Sequence, residues 1–223
     1  MINATDSKGT FYILNKKDRT PIIFIHGVGL DHSIWDPQIN EFDNTVLIYD
    51  ILGHGKTPLN KNDLGFDDFS DQILNLMDEL KFNKVHLVGF SIGSLIARNF
   101  ATRFNDRLAS LTLLCSIFNR SDKEQKIVND RFEQTKKDHK LTKDALKRWF
   151  TEDYLNKNSG ISDKIFNILQ NNNMNNFIKI YSLFVKHQDN EKFENIKTKT
   201  LVITGEGDLG STPEMSILSL IHI

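Results

Sequence analysis

The chain has 223 residues, of which 39% are hydrophobic and 26% charged, so it can form one globular domain with a sizeable core. Its 28 Lys and Arg residues nearly balance its 29 Asp and Glu residues without a strongly charged block, which argues against nucleic acid or a membrane surface as partner. The longest apolar run, residues 108–118, is shorter than the roughly 18 residues of a membrane span. Because the N-terminus lacks an export-signal pattern, we expect a cytoplasmic protein.

Short apolar runs that end in small or polar residues alternate along the chain with amphipathic patterns. The runs predict a weak N-terminal edge strand at residues 9–14 and buried strands at 21–29, 45–53, 84–93, 108–115 and 200–205. Between them, residues 66–80 and 92–104 have the spacing of helices. This alternation predicts the α/β class, with a mainly parallel central sheet and helices on both faces.

Residues 119–195 differ from the rest of the chain because they are charged, rich in Asn and without a strand pattern. Helix-start signals at Ser121, Thr142 and Ser162 predict three or four amphipathic helices. We expect most of their apolar side chains to pack within this insertion and a few to face the core domain.

A candidate nucleophile lies in residues 89–93, Gly-Phe-Ser-Ile-Gly, directly between a predicted strand and a predicted helix. This G-x-S-x-G pattern in that context is typical of a nucleophile elbow, a sharp turn whose glycines make room for an outward-pointing serine. We therefore assign Ser91 as the nucleophile.

A second motif, residues 26–29 with the sequence His-Gly-Val-Gly, follows the strand at 21–25. Its glycines permit a tight turn that can point backbone N–H groups into a cleft, where they would stabilise an oxyanion. We assign the two donors to the N–H groups of Val28 and Ile92. His26 is expected to hold this loop by hydrogen bonding.

A candidate acid lies in residues 204–208, Thr-Gly-Glu-Gly-Asp, after the last predicted strand. A carboxylate there can orient a catalytic histidine, and we assign this role to Asp208 with Glu206 as the competitor. Residues 55–57, Gly-Lys-Thr, resemble a phosphate loop only superficially, because Asp50 stands where a Walker loop requires glycine. No nucleotide site is expected.

The chain resembles the α/β-hydrolase superfamily over residues 10 to about 217. The resemblance rests on four motifs in family order, at residues 26–29, 53–57, 89–93 and 205–208. Within the superfamily, residues 29–38 are most similar to the branch of 3-oxoadipate enol-lactonases and small-ester hydrolases. The resemblance implies the chain order Ser, acid, His.

The resemblance also implies a single domain with a core and a cap over the active site. The core would comprise residues 10–118 and 196–217, and the helical cap residues 119–195. Trp35 and aromatic residues of the cap would contact the substrate.

The only histidine after Asp208 is His222, and its spacing does not fit the family. A helix of about 11 residues and a strand of about 5 would lie between acid and histidine, but these two positions are only 14 residues apart. A helix begins at residues 211–214, with Pro213 at its first position, and is expected to dissolve within two turns. We therefore expect a truncated chain without the last strand, the last helix and the catalytic histidine, and consequently essentially inactive.

The last six residues, 218–223, can be encoded by CTG TCT CTT ATA CAC ATC, the end of a transposon adapter used for sequencing libraries. We interpret this hexapeptide as a non-native tail. Loss of a strand and a helix would expose a sheet edge and apolar surface, so low solubility is expected.

The motifs predict a serine hydrolase that cleaves a small carboxylic ester or lactone through an acyl-enzyme. No metal or other cofactor is expected, because no histidine has metal-ligand spacing with another histidine or a carboxylate. Cys115, the only cysteine, is interpreted as a small core residue. The alternatives are a non-catalytic small-molecule binding protein, or C–C bond hydrolysis, acyl transfer or cofactor-free haloperoxidase activity on the same fold.

Overall fold

A computed structural model describes residues 1–139, 146–190 and 192–222 of the chain. The described residues form one seven-stranded sheet, in the order β1-β2-β4-β3-β5-β6-β7. The strands are β1 (Ile2–Thr5), β2 (Phe11–Asn15), β3 (Arg19–Ile25), β4 (Asn44–Tyr49), β5 (Val85–Phe90), β6 (Leu108–Leu114) and β7 (Thr200–Ile203). The pairs β1–β2 and β2–β4 are antiparallel and all others are parallel, so the predicted α/β class is confirmed.

The helices of the described residues fall into a core group and a group between β6 and β7. The core group is α1 (Phe66–Glu79), α2 (Ile92–Arg103) and α8 (Pro213–His222). The second group is α3 (Asp122–Asp138), α4 (Leu146–Trp149), α5 (Glu152–Lys157), α6 (Ser159–Gln170) and α7 (Met174–Val185). The helices predicted at 66–80 and 92–104 are thus confirmed to within one residue.

Helices α1 and α2 cover one face of the sheet. The apolar side of α1 buries Phe69, Ile73 and Met77 against the strands. Its first turn is held by the Asp68 carboxylate, which accepts the Gly65 N–H at 2.8 Å. The spacing of the apolar residues therefore predicted this helix correctly.

The opposite face of the sheet is covered mainly near β3 and β4. There Trp35, at the end of a short 3₁₀ helix, packs with Ile39 against Phe24. On β7 the side chains of Leu201 and Ile203 are 55% and 46% exposed. This face of the sheet is therefore open to solvent at the β7 side.

The structure corrects the sequence interpretation at both ends of the chain. Strand β1 was not predicted; it forms a hairpin with β2, whose turn is closed by the Asp6 carboxylate accepting the Thr10 N–H at 2.7 Å. Helix α8 begins at Pro213 as predicted, but it continues to His222 instead of dissolving after two turns.

In the insertion, residues 119–195, the structure shows more helices than the three or four predicted. The start at Ser121 is confirmed, because its hydroxyl and the Glu124 side chain form a capping box. The start predicted at Ser162 is wrong, since α6 begins at Ser159 after Asn158. The start predicted at Thr142 lies outside the described residues.

Candidate active site

Ser91 lies at the turn between β5 and α2 with a left-handed backbone, φ 57° and ψ −120°. Its N–H donates to the carbonyl oxygen of Leu114 at 2.9 Å, and its own carbonyl oxygen accepts the Ser94 N–H at 2.9 Å. A non-glycine residue in this region of φ is strained and is typical of functional sites. The strand, turn and helix predicted around the nucleophile are therefore present.

The second glycine of this motif has no room for a side chain. A Cβ atom on Gly93 would lie 2.7 Å from the carbonyl oxygen of Ile25 and 2.8 Å from that of His26. The glycine thus lets the start of α2 approach the end of β3. This approach brings the turn at Ser91 next to the loop of residues 26–29.

The loop of residues 26–29 is a tight turn, because the Leu30 N–H donates to the Gly27 carbonyl oxygen at 3.2 Å. Gly29 has φ +77°, as the third position of a type II turn requires. Within the described residues, neither a backbone nor a side-chain group accepts the N–H of Val28. Ile92 is the first residue of α2, so its N–H has no partner within the helix. Both N–H groups assigned to the oxyanion are consequently available as donors.

His26 is fully buried and hydrogen-bonded on both ring nitrogens, as the sequence predicted. Its Nδ1–H donates to the Gly27 carbonyl oxygen at 2.8 Å, and its Nε2 accepts the Ile51 N–H at 3.1 Å. Burial lowers the pKa of His26 and keeps the ring neutral. The ring therefore ties the loop to the end of β4.

Two further residues near this loop were not assigned a role from the sequence. The buried His54 accepts the Gly29 N–H on Nε2 at 2.8 Å, and the buried Asp50 accepts the Nδ1–H of His32 at 2.7 Å. A Cβ atom on Gly55 would collide with the Asp50 carboxylate. The Gly-His-Gly pattern of residues 53–55 was the available signal, and only the spatial contacts explain it.

Asp208 follows β7, where its carboxylate accepts the N–H groups of Gly210 and Ser211 at 2.8 and 3.0 Å and the Ser211 hydroxyl at 2.8 Å. Burial raises the pKa of Asp208, but these donors and the Cys115 thiol lower it by more, so the carboxyl is ionised near neutral pH. Glu206 is exposed. Asp208 is thus the better held of the two acids.

Cys115 lies at the end of β6, between the turn at Ser91 and the loop that carries Asp208. Its N–H donates to the Ile203 carbonyl oxygen at 2.8 Å. Burial and the neighbouring Asp208 carboxylate raise the pKa of the Cys115 thiol, so it remains protonated at neutral pH. This environment does not activate the thiol as a nucleophile.

A cavity of about 450 Å³ opens beside these strand ends. Its wall includes Trp35, Phe90 and Cys115, and most of its surface is apolar. Trp35 is buried against Phe24, with ring centroids 4.9 Å apart, and its Nε1 has no hydrogen-bond partner in the described part of the chain. The residue predicted to contact substrate therefore lines a cavity next to the nucleophile turn.

The chain's seven histidines all lie in described residues, and the contacts seen for each are with groups other than Ser91 and Asp208. Besides His26, His32 and His54, His86 contacts the Ser110 hydroxyl, and His187 donates to Asp189. His139 is the left-handed C-cap of α3. The ring of His222 lies against Phe118, with centroids 5.3 Å apart.

The insertion contacts the loop of residues 26–29 directly. The Asn172 side chain donates to the Gly29 carbonyl oxygen at 2.7 Å. A Cβ atom on Gly29 would lie 2.9 Å from the Phe177 ring and 3.0 Å from the Leu169 side chain. Helices α6 and α7 thus bound this side of the candidate site.

No group of three or more His, Cys, Asp or Glu side chains in the described ranges could hold a metal ion. Of the helices that the structure describes, none is long and apolar enough to cross a membrane.

Comparison with known proteins supports the family and the fold of the chain. The model of the alpha/beta hydrolase fold family matches residues 20–158. The chain is 29% identical over 212 residues to (E)-2-((N-methylformamido)methylene)succinate hydrolase of Acinetobacter baylyi, covering 93% of this chain and 80% of that protein. It is 25% identical to 3-oxoadipate enol-lactonase 1 of the same species, covering 93% and 79%. The crystal structure of the enol-lactonase from Burkholderia xenovorans superposes with a TM-score of 0.87 at 24% identity, over 100% of this chain and 88% of that one.

Proposed function

Because this chain belongs to the alpha/beta hydrolase fold family, we propose that it carries the site of a serine hydrolase for small carboxylic esters or lactones. The observation that supports this most strongly is the left-handed Ser91 at a strand–helix turn, beside two available N–H donors. A binding protein has no need for such a strained turn. The reaction would proceed through an acyl-enzyme.

Each proposed group has a defined part in the reaction. The Ser91 hydroxyl oxygen attacks the substrate carbonyl carbon, and the resulting oxyanion accepts hydrogen bonds from the N–H groups of Val28 and Ile92. Collapse of the tetrahedral intermediate expels the alcohol, or opens the lactone ring, and leaves an ester on Ser91. Water then attacks this ester and releases the acid.

A general base is required to accept the Ser91 proton, and we propose that Asp208 orients a histidine for this purpose. In the described structure the contacts of each histidine are with groups other than Ser91 and Asp208. We therefore propose that Ser91 of the 223-residue chain by itself is acylated only slowly. Loss of one member of such a triad lowers turnover by about 10⁴-fold or more, while the oxyanion donors retain a residual rate.

One relative, named for hydrolysis of an enol-lactone, supports the lactone part of this substrate class. Another is named for hydrolysis of a methylenesuccinate that carries an N-methylformamido group, so it supports hydrolysis more generally. We propose that Trp35, in the wall of the apolar cavity, contacts the part of the substrate next to the reacting carbonyl. A cytoplasmic location and a small-molecule partner stay predictions from the sequence.

The test is acylation of Ser91 by p-nitrophenyl acetate, with and without added imidazole as a substitute base. We expect slow acetylation at Ser91, located by peptide mapping, and acceleration by imidazole that is absent in Ser91→Ala. Asp208→Asn is the control that shows whether the Asp208 carboxylate contributes to acetylation of Ser91. Equal rates of p-nitrophenol release from wild type and Ser91→Ala, with no acetyl group on Ser91, would overturn the proposal.

A second candidate is a non-catalytic protein that binds a small molecule in the same cleft. The observation that favours it is that Asp208 is hydrogen-bonded to its own loop and not to a histidine. A carboxylate or lactone ligand that raises the melting temperature, without acetylation of Ser91 under any condition, would support it. A substrate panel with C–C, acyl-transfer and halide assays separates the other reactions of this fold.

A further inference from the structure

The loop of residues 26–29 is supported from behind by His54, whose contacts define its protonation state. Its Nε2 accepts the Gly29 N–H at 2.8 Å, and its Nδ1–H donates to the Leu52 carbonyl oxygen at 3.3 Å. One neutral tautomer satisfies both contacts. Burial and the neighbouring His26 lower the pKa of His54 to about 3, so this tautomer persists at neutral pH.

The hydrogen bond to His54 fixes the orientation of one peptide group. In the turn of residues 27–30, φ is +77° at Gly29, which distinguishes a type II turn from a type I turn. These two turns differ mainly by a flip of the central peptide, here the one between Val28 and Gly29. Because His54 accepts the N–H of that peptide, it stabilises the type II arrangement.

His54 is itself held firmly in place. Its ring lies 5.4 Å from that of His26 in an edge-on arrangement. Two residues further on, the Lys56 N–H donates to the buried Asp50 carboxylate at 2.8 Å, and the same carboxylate accepts the His32 N–H at 2.8 Å. The segment of residues 54–56 is thus tied to the end of β4 and to the residues that follow the loop.

We propose that His54 is a positioning residue for the proposed hydrolysis, which holds the 26–29 loop so that the Val28 N–H faces the oxyanion. The inference rests on the proposed function, because it assigns the Val28 N–H to the transition state. His54 does not touch the reacting atoms; it acts through Gly29. The titratable groups around it are His26 and Asp50, and its hydrogen-bond partners are the Gly29 N–H and the Leu52 carbonyl oxygen.

Two substitutions of His54 distinguish its role as a hydrogen-bond acceptor from the space that its ring fills. In His54→Gln the side-chain oxygen can reach the position of Nε2 and accept the Gly29 N–H. In His54→Phe a planar ring remains but the acceptor is lost. His86→Gln is the matched control, because His86 is a half-buried histidine on β5 whose ring contacts Ser110 and not this loop.

The readout compares a tetrahedral probe with a planar one. Phenylboronic acid can add to the Ser91 hydroxyl and place an oxygen between the two donors, whereas benzamide binds without that step. Loss of one oxyanion donor lowers turnover about 10²-fold or more. We therefore expect His54→Phe to weaken binding of phenylboronic acid at least ~10-fold and to change binding of benzamide little. His54→Gln and His86→Gln should bind both probes like the wild type.

Amide hydrogen exchange at Gly29, measured by NMR, keeps the two proposals distinguishable. Faster amide exchange at Gly29 in His54→Phe than in His54→Gln would show, independently of catalysis, that His54 stabilises the loop of residues 26–29. Equal amide exchange rates at Gly29 in the two variants would overturn the positioning role. An equal loss of affinity for phenylboronic acid and benzamide in His54→Phe would overturn it as well. If wild type and Ser91→Ala bind phenylboronic acid equally while exchange responds as expected, the proposed function fails and the positioning role in hydrolysis falls with it.

Discussion

Gly89 and Gly93 face each other across the turn that carries Ser91, and a Cβ atom on Gly89 would collide with the carbonyl oxygen of Gly93. The same atom would lie 2.8 Å from Cα of Ser94, so a side chain at position 89 can be accommodated only if the backbone of α2 shifts. We expect Gly89→Ala to lower the free energy of unfolding by about 3 kcal/mol. Urea denaturation monitored by tryptophan fluorescence measures this change.

Gly160 provides a matched control for that substitution. It lies in α6, and a Cβ atom there would meet no other atom within 4 Å. Gly160→Ala should therefore leave stability unchanged or raise it by about 0.5 kcal/mol, through the lower entropy of the unfolded chain. Similar effects of the two substitutions would show that the turn at Ser91 is not as tightly packed as the structure indicates.

The buried His54 should make the protein less stable in acid. The unfolded histidine binds a proton near pH 6.5, whereas the folded side chain binds it only near pH 3. Unfolding is thus coupled to proton uptake between these values, and stability falls as the pH falls through this window. From pH 7 to 4.5 this one residue should cost about 2 kcal/mol.

His54→Gln removes this titration while retaining the hydrogen-bond acceptor. We expect its loss of stability between pH 7 and 4.5 to be smaller than that of wild type by about 2 kcal/mol, measured from urea midpoints. The Asp50 hydrogen bond raises the pKa of His32 although burial lowers it. This raised pKa stabilises the folded protein in acid, opposite to the effect of His54, but His32 is present in both proteins and does not affect their difference. Parallel pH profiles would mean that His54 ionises normally in the folded state.

Local patterns were sufficient to predict the elements that position Ser91. The apolar period of residues 66–80 and the strand–turn–helix around residues 89–93 depend on neighbours in the sequence, and the structure reproduces both. The partner of Gly29 is His54, 25 positions away, and no local pattern records that contact. The Ser162 start failed for a different, local reason, because Asn158 ends one helix and directly begins the next.

Arg98 ties α2 to both ends of the insertion. Its guanidinium donates to the Ile117 carbonyl oxygen at 2.8 Å and to the Asp189 carboxylate at 2.5 Å, and the same carboxylate accepts the Asn119 N–H at 2.7 Å. We expect Asp189→Ala to lower the free energy of unfolding by about 3 kcal/mol, because Arg98 is fully buried and loses this carboxylate.

The control for Asp189 is an ion pair on the surface. Asp153 and Lys157 are paired on α5 at 2.9 Å with both side chains more than 70% exposed. Asp153→Ala should change stability by less than about 0.5 kcal/mol. If Asp189→Ala were as mild as Asp153→Ala in urea denaturation, the buried pair would not hold the insertion to α2.

Leu201 and Ile203 should cause the protein to self-associate. They are 55% and 46% exposed on β7, on the same sheet face as Leu114, and β7 pairs on one side only among the described strands. An exposed edge with apolar side chains is a template for pairing with another chain. Replacing both by Thr removes apolar surface and keeps a residue type that strands favour, so we expect less concentration-dependent association in light scattering. Ile127→Thr on α3, where Ile127 is 41% exposed, is the matched control and should change little. A wild-type protein that stays monomeric at high concentration, or a double variant that associates as readily, would contradict the role of this face.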